Sequence, residues 1–175
     1  MTERSVLHDT FMIERAYPAP ASRVFAAFAS KEAKDAWGDT GDLSEPGADA
    51  GESEFDFRVG GHERFGFGYQ GISYRYDARY YEIVQGQRII YSYEMYADGA
   101  RFSVSVATLE FAATADGTGT ALTWTEQGAF LDGFDGADAS SLRQGGTEEM
   151  LEGLAKYLAR TAAATAADRS ASCGR

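Results

Sequence analysis

The middle of the chain, from residue 53 to residue 130, is an almost continuous series of strand-forming segments. Six of them follow one another: SEFDFRV, ERFGFGYQGISY, RYDARYYEIV, QRIIYSYEMY, RFSVSVATLEFAAT and TALTWTEQGAF. Three of the breaks are dipeptides typical of tight hairpins, namely Gln85-Gly86, Asp98-Gly99 and Asp116-Gly117. Strands joined by such short turns pair antiparallel, because parallel neighbours need a long crossover. The sequence therefore predicts an antiparallel meander.

Helical patterns lie on both sides of this meander. A first strand beginning at Asp9 precedes a helix over residues 18–30, in which Pro20 occupies the first turn. A second short helix has Ser30 as its N-cap and ends near Gly38. A longer helix over SLRQGGTEEMLEGLAKYLART carries one apolar face, formed by Met150, Leu151, Leu154, Tyr157 and Leu158. This last helix is the natural cover for one face of the sheet.

The predicted fold class is α+β, with a curved antiparallel sheet of about six to seven strands wrapped around the C-terminal helix. We expect one domain over residues 8–160, with two short helices after the first strand, and an acidic loop over residues 38–53. Residues 161–175 lack bulky apolar groups and are expected to form a flexible tail. A strongly bent sheet closed by one helix leaves unfilled space, so this fold predicts a pocket.

Composition excludes several classes of function. A net charge of −11 opposes binding to nucleic acid and to an anionic membrane surface. The single cysteine, Cys173, lies near the end of the chain, so an intrachain disulfide is excluded, which is compatible with a reducing cytoplasm. The sequence shows neither an apolar leader nor a stretch long enough to span a bilayer. We therefore expect a cytoplasmic protein without membrane insertion.

Patterns for metal binding and nucleophilic catalysis are weak. His8 and His62 are far apart, and the residues Asp132, Asp135 and Asp138 lack the alternate ligands and closing glutamate of an EF-hand. The chain has no G-x-S-x-G elbow. The segment GFGYQG is followed by no helix, unlike a phosphate-binding loop. We expect no metal and no cofactor.

The segment FDFRVGGHERF, residues 55–65, interrupts the strand pattern. Gly60-Gly61 predicts a tight turn between two strands. Asp56 and Arg58 share one face of the preceding strand and are expected to pair with each other or with a neighbouring strand. The charged residues that follow are expected to form a solvated turn: His62, Glu63 and Arg64.

Eight of the 10 tyrosines lie between Tyr69 and Tyr96. Because alternate residues of a strand share one face, the strands offer three candidate groups: Phe65, Phe67 and Tyr69; Ile89, Tyr91, Tyr93 and Met95; and Trp124 with Glu126. If these faces point inward, they line an apolar cavity with phenol hydroxyls and one carboxylate. A hydroxyl there can orient a ligand, and a buried glutamate can act as a general base. Plain core packing is the alternative.

Four segments in order carry a wider resemblance: ERAYPAPASRVFAAFASKEAKDAW, EFDFRVGGHERF, YYEIVQGQRIIYSYEM and GTGTALTWTEQGAFLDG. They are similar to the activator of heat-shock-protein-90 ATPase homologue-like family, within the START-like (SRPBCC) superfamily. The resemblance runs from about Phe11 to Leu158. It implies a helix-grip (Bet v-like) fold. It also implies that the Asp-x-Arg-x-Gly-Gly stretch is a strand–turn signature with a mainly structural role.

The resemblance also implies a function, because superfamily members bind lipids, sterols, polyketides and other apolar molecules in the cavity. We expect this chain to bind a small apolar or aromatic molecule, through Trp37, Phe65, Phe67, Tyr69, Tyr91, Tyr93, Met95, Trp124, Glu126 and Met150. One alternative is an enzyme, of cyclase, dehydratase or hydrolase type, with Glu126 or a pocket tyrosine as the acid–base group. Another is a protein-interaction or stress-related module that uses the acidic surface. Exposed edge strands would permit a homodimer.

The sequence departs from the family pattern at two places. Gly146-Thr147 corresponds to the Gly-Trp pair that the family usually has at the start of the last helix. Loss of that tryptophan predicts a larger or wetter end of the cavity. The proline common near the tryptophan after the second helix is also absent, since Trp37 is followed by Gly38 and Asp39.

Overall fold

The structure, a computed structural model, describes residues 4–38 and 53–172. In this part of the chain there are seven strands: β1 (Val6–Tyr17), β2 (Glu54–Phe55), β3 (His62–Tyr69), β4 (Ile72–Val84), β5 (Arg88–Ala97), β6 (Ala100–Ala113) and β7 (Thr120–Leu131). Helices α1 (Ala21–Ala29) and α2 (Lys31–Gly38) follow β1. A single 3-10 turn, Gly136–Asp138, leads into α3 (Ala139–Ser172).

The strands form one antiparallel sheet in the order β1-β7-β6-β5-β4-β3-β2. Along β7, burial alternates residue by residue, so that one face of the sheet packs inside and the other faces solvent. The three predicted hairpins are present, with positive φ angles of 70° at Gly86, 79° at Gly99 and 70° at Gly117. The predicted α+β architecture, with two short helices after the first strand and a long C-terminal helix, is confirmed.

Two of the predicted strands are divided differently in the structure. ERFGFGYQGISY is broken by a turn at Gln70 and Gly71, whose φ angles are 50° and 78°. The residues after this turn join the next predicted segment to make one long strand, β4. In SEFDFRV only Glu54–Phe55 is a strand, paired antiparallel with β3.

Residues 56–61 form a turn that is held against β4 by backbone hydrogen bonds. The Gly60 N–H donates to the Tyr80 carbonyl at 2.8 Å, and the Tyr80 N–H donates to the Gly61 carbonyl at 3.0 Å. Gly60 has a φ of +82°, and a Cβ on Gly61 would lie 2.0 Å from the Asp56 carbonyl oxygen. Arg58 Nε lies 2.8 Å from Asp56 Oδ2, which confirms the predicted pair. The glycine pair is thus required by the turn itself.

Helices α1 and α2 cover part of the inner face of the sheet. The N–H of Ala33 donates to Ser30 Oγ at 3.3 Å, which confirms the predicted N-cap of α2. Pro20, which was predicted to lie in the first turn of this helix, instead occupies the N-cap position, one residue before α1 begins. Near the end of α2, the indole N–H of Trp37 donates to the Ala27 carbonyl at 2.8 Å, so the two helices are joined through a buried side chain. The predicted acidic loop falls mainly on residues 39–52, which lie outside the described residues.

Helix α3 packs across the sheet through its predicted apolar face. Leu151, Leu154 and Leu158 are buried, and Met150 and Tyr157 pack half-buried against the same core. Helical backbone continues to Ser172, past the residue at which the sequence predicts a flexible tail. The flexibility and the domain boundaries stay predictions. Within residues 4–38 and 53–172, none of the helices combines the length and apolarity needed to cross a bilayer.

Gly153 lies where α3 approaches α2 closely, because an added Cβ would lie 2.3 Å from the Trp37 carbonyl oxygen. We expect Gly153→Ala to lower the free energy of unfolding by about 1–3 kcal/mol, as overpacking does. Gly145, in the same helix, has no atom within 4 Å of an added Cβ. Gly145→Ala should therefore raise the free energy of unfolding by about 0.5–1 kcal/mol. Urea denaturation measures both, and equal effects at the two positions would contradict the close approach.

Candidate functional site

A cavity of about 640 Å³ lies between the inner face of the sheet, α2 and α3. Its lining is dominated by aromatic side chains from both the helices and the strands: Phe28, Trp37, Phe55, Phe57, Phe65, Phe67, Tyr76, Tyr80, Tyr91, Tyr93 and Trp124. Several lining residues are exposed to solvent, among them Asp35, Ser53 and Leu142. The cavity is therefore an apolar pocket with access from solvent.

Most of the residues predicted from the sequence line this cavity: Trp37, Phe65, Phe67, Ile89, Tyr91, Tyr93, Met95, Trp124 and Met150. Tyr69 and Glu126 are not among the lining residues. Tyr69 is the last residue of β3, is 40% exposed, and accepts a hydrogen bond from the Gln70 side chain at 3.1 Å. Glu126 is 0% exposed and lies behind the cavity wall. A binding role for any of these residues stays a prediction.

Glu126 is the centre of a buried polar cluster that joins α3 to the sheet. Its Oε1 accepts a hydrogen bond from the Tyr93 hydroxyl at 2.5 Å and a weaker one from Arg143 Nη1 at 3.3 Å. Its Oε2 accepts from the indole N–H of Trp124 at 3.4 Å. Both carboxylate oxygens are thus already occupied by protein donors.

Arg143 extends from α3 to complete this cluster. Its Nη1 donates to the Tyr93 hydroxyl oxygen at 2.6 Å, and its Nη2 donates to Ser103 Oγ at 2.7 Å. Burial by itself lowers the pKa of Arg143, but Tyr93 and Glu126 outweigh it and the net pKa is raised. Burial raises the pKa of the Tyr93 hydroxyl against the opposing effect of Arg143. The cluster therefore contains a charged guanidinium and a neutral phenol.

A second polar cluster lies at the other side of the cavity, around Glu63. The prediction that His62, Glu63 and Arg64 form a solvated turn is wrong, because all three belong to β3 and the Glu63 side chain is buried, at 5% exposure. Its Oε2 accepts from Lys34 Nζ at 2.5 Å and from the Tyr80 hydroxyl at 2.6 Å. Burial raises the pKa of Tyr80, and Glu63 adds to the effect. Glu63 lies on the same face of β3 as the cavity-lining residues Phe65 and Phe67, and Lys34 of α2 and Tyr80 of β4 contact it there.

Sequence reasoning missed the residues that supply these two clusters: Lys34, Glu63, Tyr80 and Arg143. A usable signal was present for two of them. Glu63 alternates with Phe65, so strand periodicity places both on one face. Lys34 precedes Trp37 by three residues in α2, which places both on one helical face.

The residue pair that departs from the family's Gly-Trp pattern, Gly146-Thr147, also lies at the cavity. Gly146 and Thr147 both line it, and no atom lies within 4 Å of a Cβ added at Gly146. The Thr147 hydroxyl donates back to the Arg143 carbonyl at 3.0 Å, so it is satisfied within α3. Both positions therefore border the cavity, with open space beside Gly146 and a buried threonine at the position of the family tryptophan.

Among the side chains that the structure describes, no group of three or more His, Cys, Asp and Glu residues could hold a metal ion. Of the three aspartates considered for a calcium loop, Asp132 pairs with Arg4, with an N–O distance of 2.7 Å.

The sequence model of one protein family, Activator of Hsp90 ATPase homolog 1-like protein, matches residues 18–159. The chain belongs to this family. The match spans most of the chain, and it confirms the resemblance carried by the four sequence segments. No protein with a curated description matches the chain.

Solved structures of uncharacterised bacterial proteins share the fold. One from Rhizobium leguminosarum is 41% identical, covers 91% of this chain and 99% of its own, and superposes with a TM-score of 0.77. One from Rhizobium loti is 45% identical, covers 87% of this chain and 99% of its own, with a TM-score of 0.74. One from Chromobacterium violaceum is 27% identical, covers 85% of this chain and 96% of its own, and has a TM-score of 0.61.

The Arg143–Glu126 pair gives a stability prediction. Arg143→Met leaves the Glu126 carboxylate buried without its cation, and we expect a loss of about 3–5 kcal/mol in the free energy of unfolding. Adding Glu126→Gln removes the unpaired charge, so the double variant should lose less than the sum of the two single losses. A double-mutant cycle by urea denaturation measures this coupling.

Arg4→Met is the matched control, since it breaks an ion pair in which the Arg4 side chain is 88% exposed. We expect little change for this control because solvent screens exposed pairs. Strict additivity of the Arg143 and Glu126 substitutions would show that the buried pair is not coupled.

Proposed function

We propose that the protein binds a small apolar or aromatic molecule without covalent chemistry in the cavity between the sheet, α2 and α3. The observation that carries this proposal is the aromatic-lined space of about 640 Å³ in the interior. Protein interiors normally pack at the density of organic crystals and leave few voids larger than one water molecule. Pockets that hold small molecules are about 300–1,000 Å³ and predominantly apolar, with a few placed polar groups.

The chemistry of the lining supports an apolar ligand. The eleven aromatic side chains offer flat surfaces that water hydrates poorly, so an apolar occupant would release that water. Family membership supports the same proposal, because the helix-grip fold is a ligand-binding fold.

Ligand binding is favoured over acid–base catalysis by the position of Glu126. Its carboxylate is fully buried, lies outside the cavity lining, and already accepts hydrogen bonds from Tyr93, Arg143 and Trp124. A general base must come within hydrogen-bond reach of the proton that it removes. The cavity also argues against a solid-cored interaction module, which would have this space filled.

Native mass spectrometry of protein purified from its own host, followed by denaturing extraction, tests the proposal directly. We expect a co-purifying neutral or weakly polar molecule of defined mass that is released on unfolding. The same spectra report the oligomeric state and so test the homodimer. Bare protein under every growth condition would count against tight binding of an endogenous ligand.

A larger side chain in the cavity should weaken the binding of an apolar probe. Met150 lines the cavity, so Met150→Trp places a larger side chain there, and we expect at least a tenfold loss of affinity for fluorene. Met12, which is 59% exposed on β1, provides the same substitution at a surface site. Met12→Trp should leave fluorene affinity unchanged. Isothermal titration calorimetry measures both variants.

Circular dichroism of Met150→Trp and of a second filling variant, Met95→Trp, establishes that each is folded before binding is compared. Unchanged fluorene affinity in both folded cavity variants would locate the binding site elsewhere.

A further inference from the structure

We propose that the ligand of this cavity is uncharged and carries a hydrogen-bond acceptor, such as a ketone oxygen, to which the hydroxyl of Tyr76 or of Tyr91 donates. This inference rests on the proposed function and specifies the chemical class of the ligand. It follows from which donors of the cavity are unused and which charges are already paired.

The hydroxyls of Tyr76 and Tyr91 are the unused donors. Both residues line the cavity, and neither hydroxyl has a hydrogen-bond partner among the described residues. In that part of the chain, the only buried side-chain nitrogen or oxygen without a partner is His62 Nδ1. Because the two hydroxyl oxygens lack a partner and are not among the buried unpartnered atoms, both must be accessible, even though Tyr91 is a buried residue. We infer that they are accessible from the cavity, which both residues line.

The neighbouring tyrosines show the contrast. Tyr80 and Tyr93 also line the cavity, but each donates its hydroxyl hydrogen to a buried carboxylate, Glu63 and Glu126 respectively. A ligand acceptor would have to displace these short bonds to use them. Tyr76 and Tyr91 can donate their hydroxyl hydrogens without breaking a hydrogen bond within the described residues.

The two free hydroxyls are donors at neutral pH. Burial raises the pKa of Tyr76 and of Tyr91 well above the ordinary value for a phenol, and neighbouring tyrosines and carboxylates add to the shift. Both groups therefore keep their hydrogen and can donate it to a carbonyl oxygen. An unmatched hydroxyl in an apolar pocket gains most from a ligand that supplies an acceptor.

Packing fixes the rings of both residues in place. The Tyr76 ring stacks on Phe65 with centroids 4.9 Å apart and contacts Tyr93 at 5.1 Å. The Tyr91 ring meets Trp124 edge to face with centroids 6.3 Å apart. Donors held in this way lose little conformational entropy when a ligand binds, which favours specific recognition.

The charges that line the cavity are already balanced. Lys34 pairs with Glu63 at 2.5 Å, and Arg143 pairs with Glu126 at 3.3 Å. The remaining lining charges also have partners within 4.0 Å, in the pairs Lys31–Asp35 and Arg64–Glu54. A carboxylate or ammonium group on the ligand would enter the interior without a counter-ion, which is strongly unfavourable. Among the described residues, the cavity therefore favours a neutral ligand.

Three probes of matched shape test this inference: fluorene, 9-fluorenone and 9-fluorenone-4-carboxylate. Equilibrium dialysis with chromatographic quantification gives the affinity of the wild-type protein for each. We expect 9-fluorenone-4-carboxylate to bind at least about tenfold more weakly than 9-fluorenone, because its charge lacks a partner. Equal affinity for the charged and the neutral ketone would overturn the assignment of a neutral ligand.

Tyrosine-to-phenylalanine variants test the hydrogen bonds. In at least one of Tyr76→Phe and Tyr91→Phe, we expect the ratio of 9-fluorenone affinity to fluorene affinity to fall roughly 3- to 10-fold below that of the wild type. Fluorene affinity itself should stay unchanged, which also shows that the variants are folded. Tyr81→Phe, at a residue that is 55% exposed and outside the cavity lining, should leave the ratio unchanged.

The outcomes separate this inference from the proposed function. If fluorene and 9-fluorenone bind but the ratio is the same in the wild type and both cavity variants, the acceptor assignment is wrong while apolar binding stands. If neither probe binds the wild-type protein, both proposals fail for ligands of this size.

Discussion

One helix is too narrow to cover a seven-stranded sheet, and this mismatch determines the interior of the protein. With strands about 4.8 Å apart, seven strands are roughly 29 Å wide, whereas a helix with its side chains is only about 10–12 Å in diameter. Helix α3 buries Leu151, Leu154 and Leu158 against the sheet, and α1 and α2 cover part of the remainder. The space that none of the three helices fills is the cavity.

The polar groups beside this space repeat one arrangement. In each case a strand carboxylate forms an ion pair with a cationic side chain from a helix and accepts a hydrogen bond from a tyrosine hydroxyl of a central strand. Glu126 on β7 has Arg143 from α3 and Tyr93 from β5. In the second case, Glu63 on β3 has Lys34 from α2 together with a tyrosine of β4. Each cluster neutralises a buried carboxylate and also joins a helix to the sheet. The cavity is therefore bounded by two polar connections, one from α3 and one from α2.

The sequence predicted local features well and long-range ones poorly. The predicted hairpins with a residue–glycine pair were confirmed. The turn at Gln70-Gly71 was missed, because ERFGFGYQGISY was interpreted as one continuous strand segment. The periodicity of β5 placed Ile89, Tyr91, Tyr93 and Met95 on one face, but it did not decide on which side of the sheet that face lies. The pairing of Arg143 with Glu126 was not predicted, because it depends on which turn of α3 crosses β7. The size of the cavity likewise depends on the spacing of packed elements, which no local pattern encodes.

Trp37 and Trp124 have a consequence beyond packing. They are the chain's two tryptophans, and both line the cavity. The intrinsic ultraviolet emission of the protein therefore originates almost entirely from indoles at the wall of the candidate site. Trp124 also lies beside Tyr91, with ring centroids 6.3 Å apart, so excitation absorbed by the tyrosine can pass to it. The tryptophan fluorescence of the protein should therefore respond to whether the cavity is occupied.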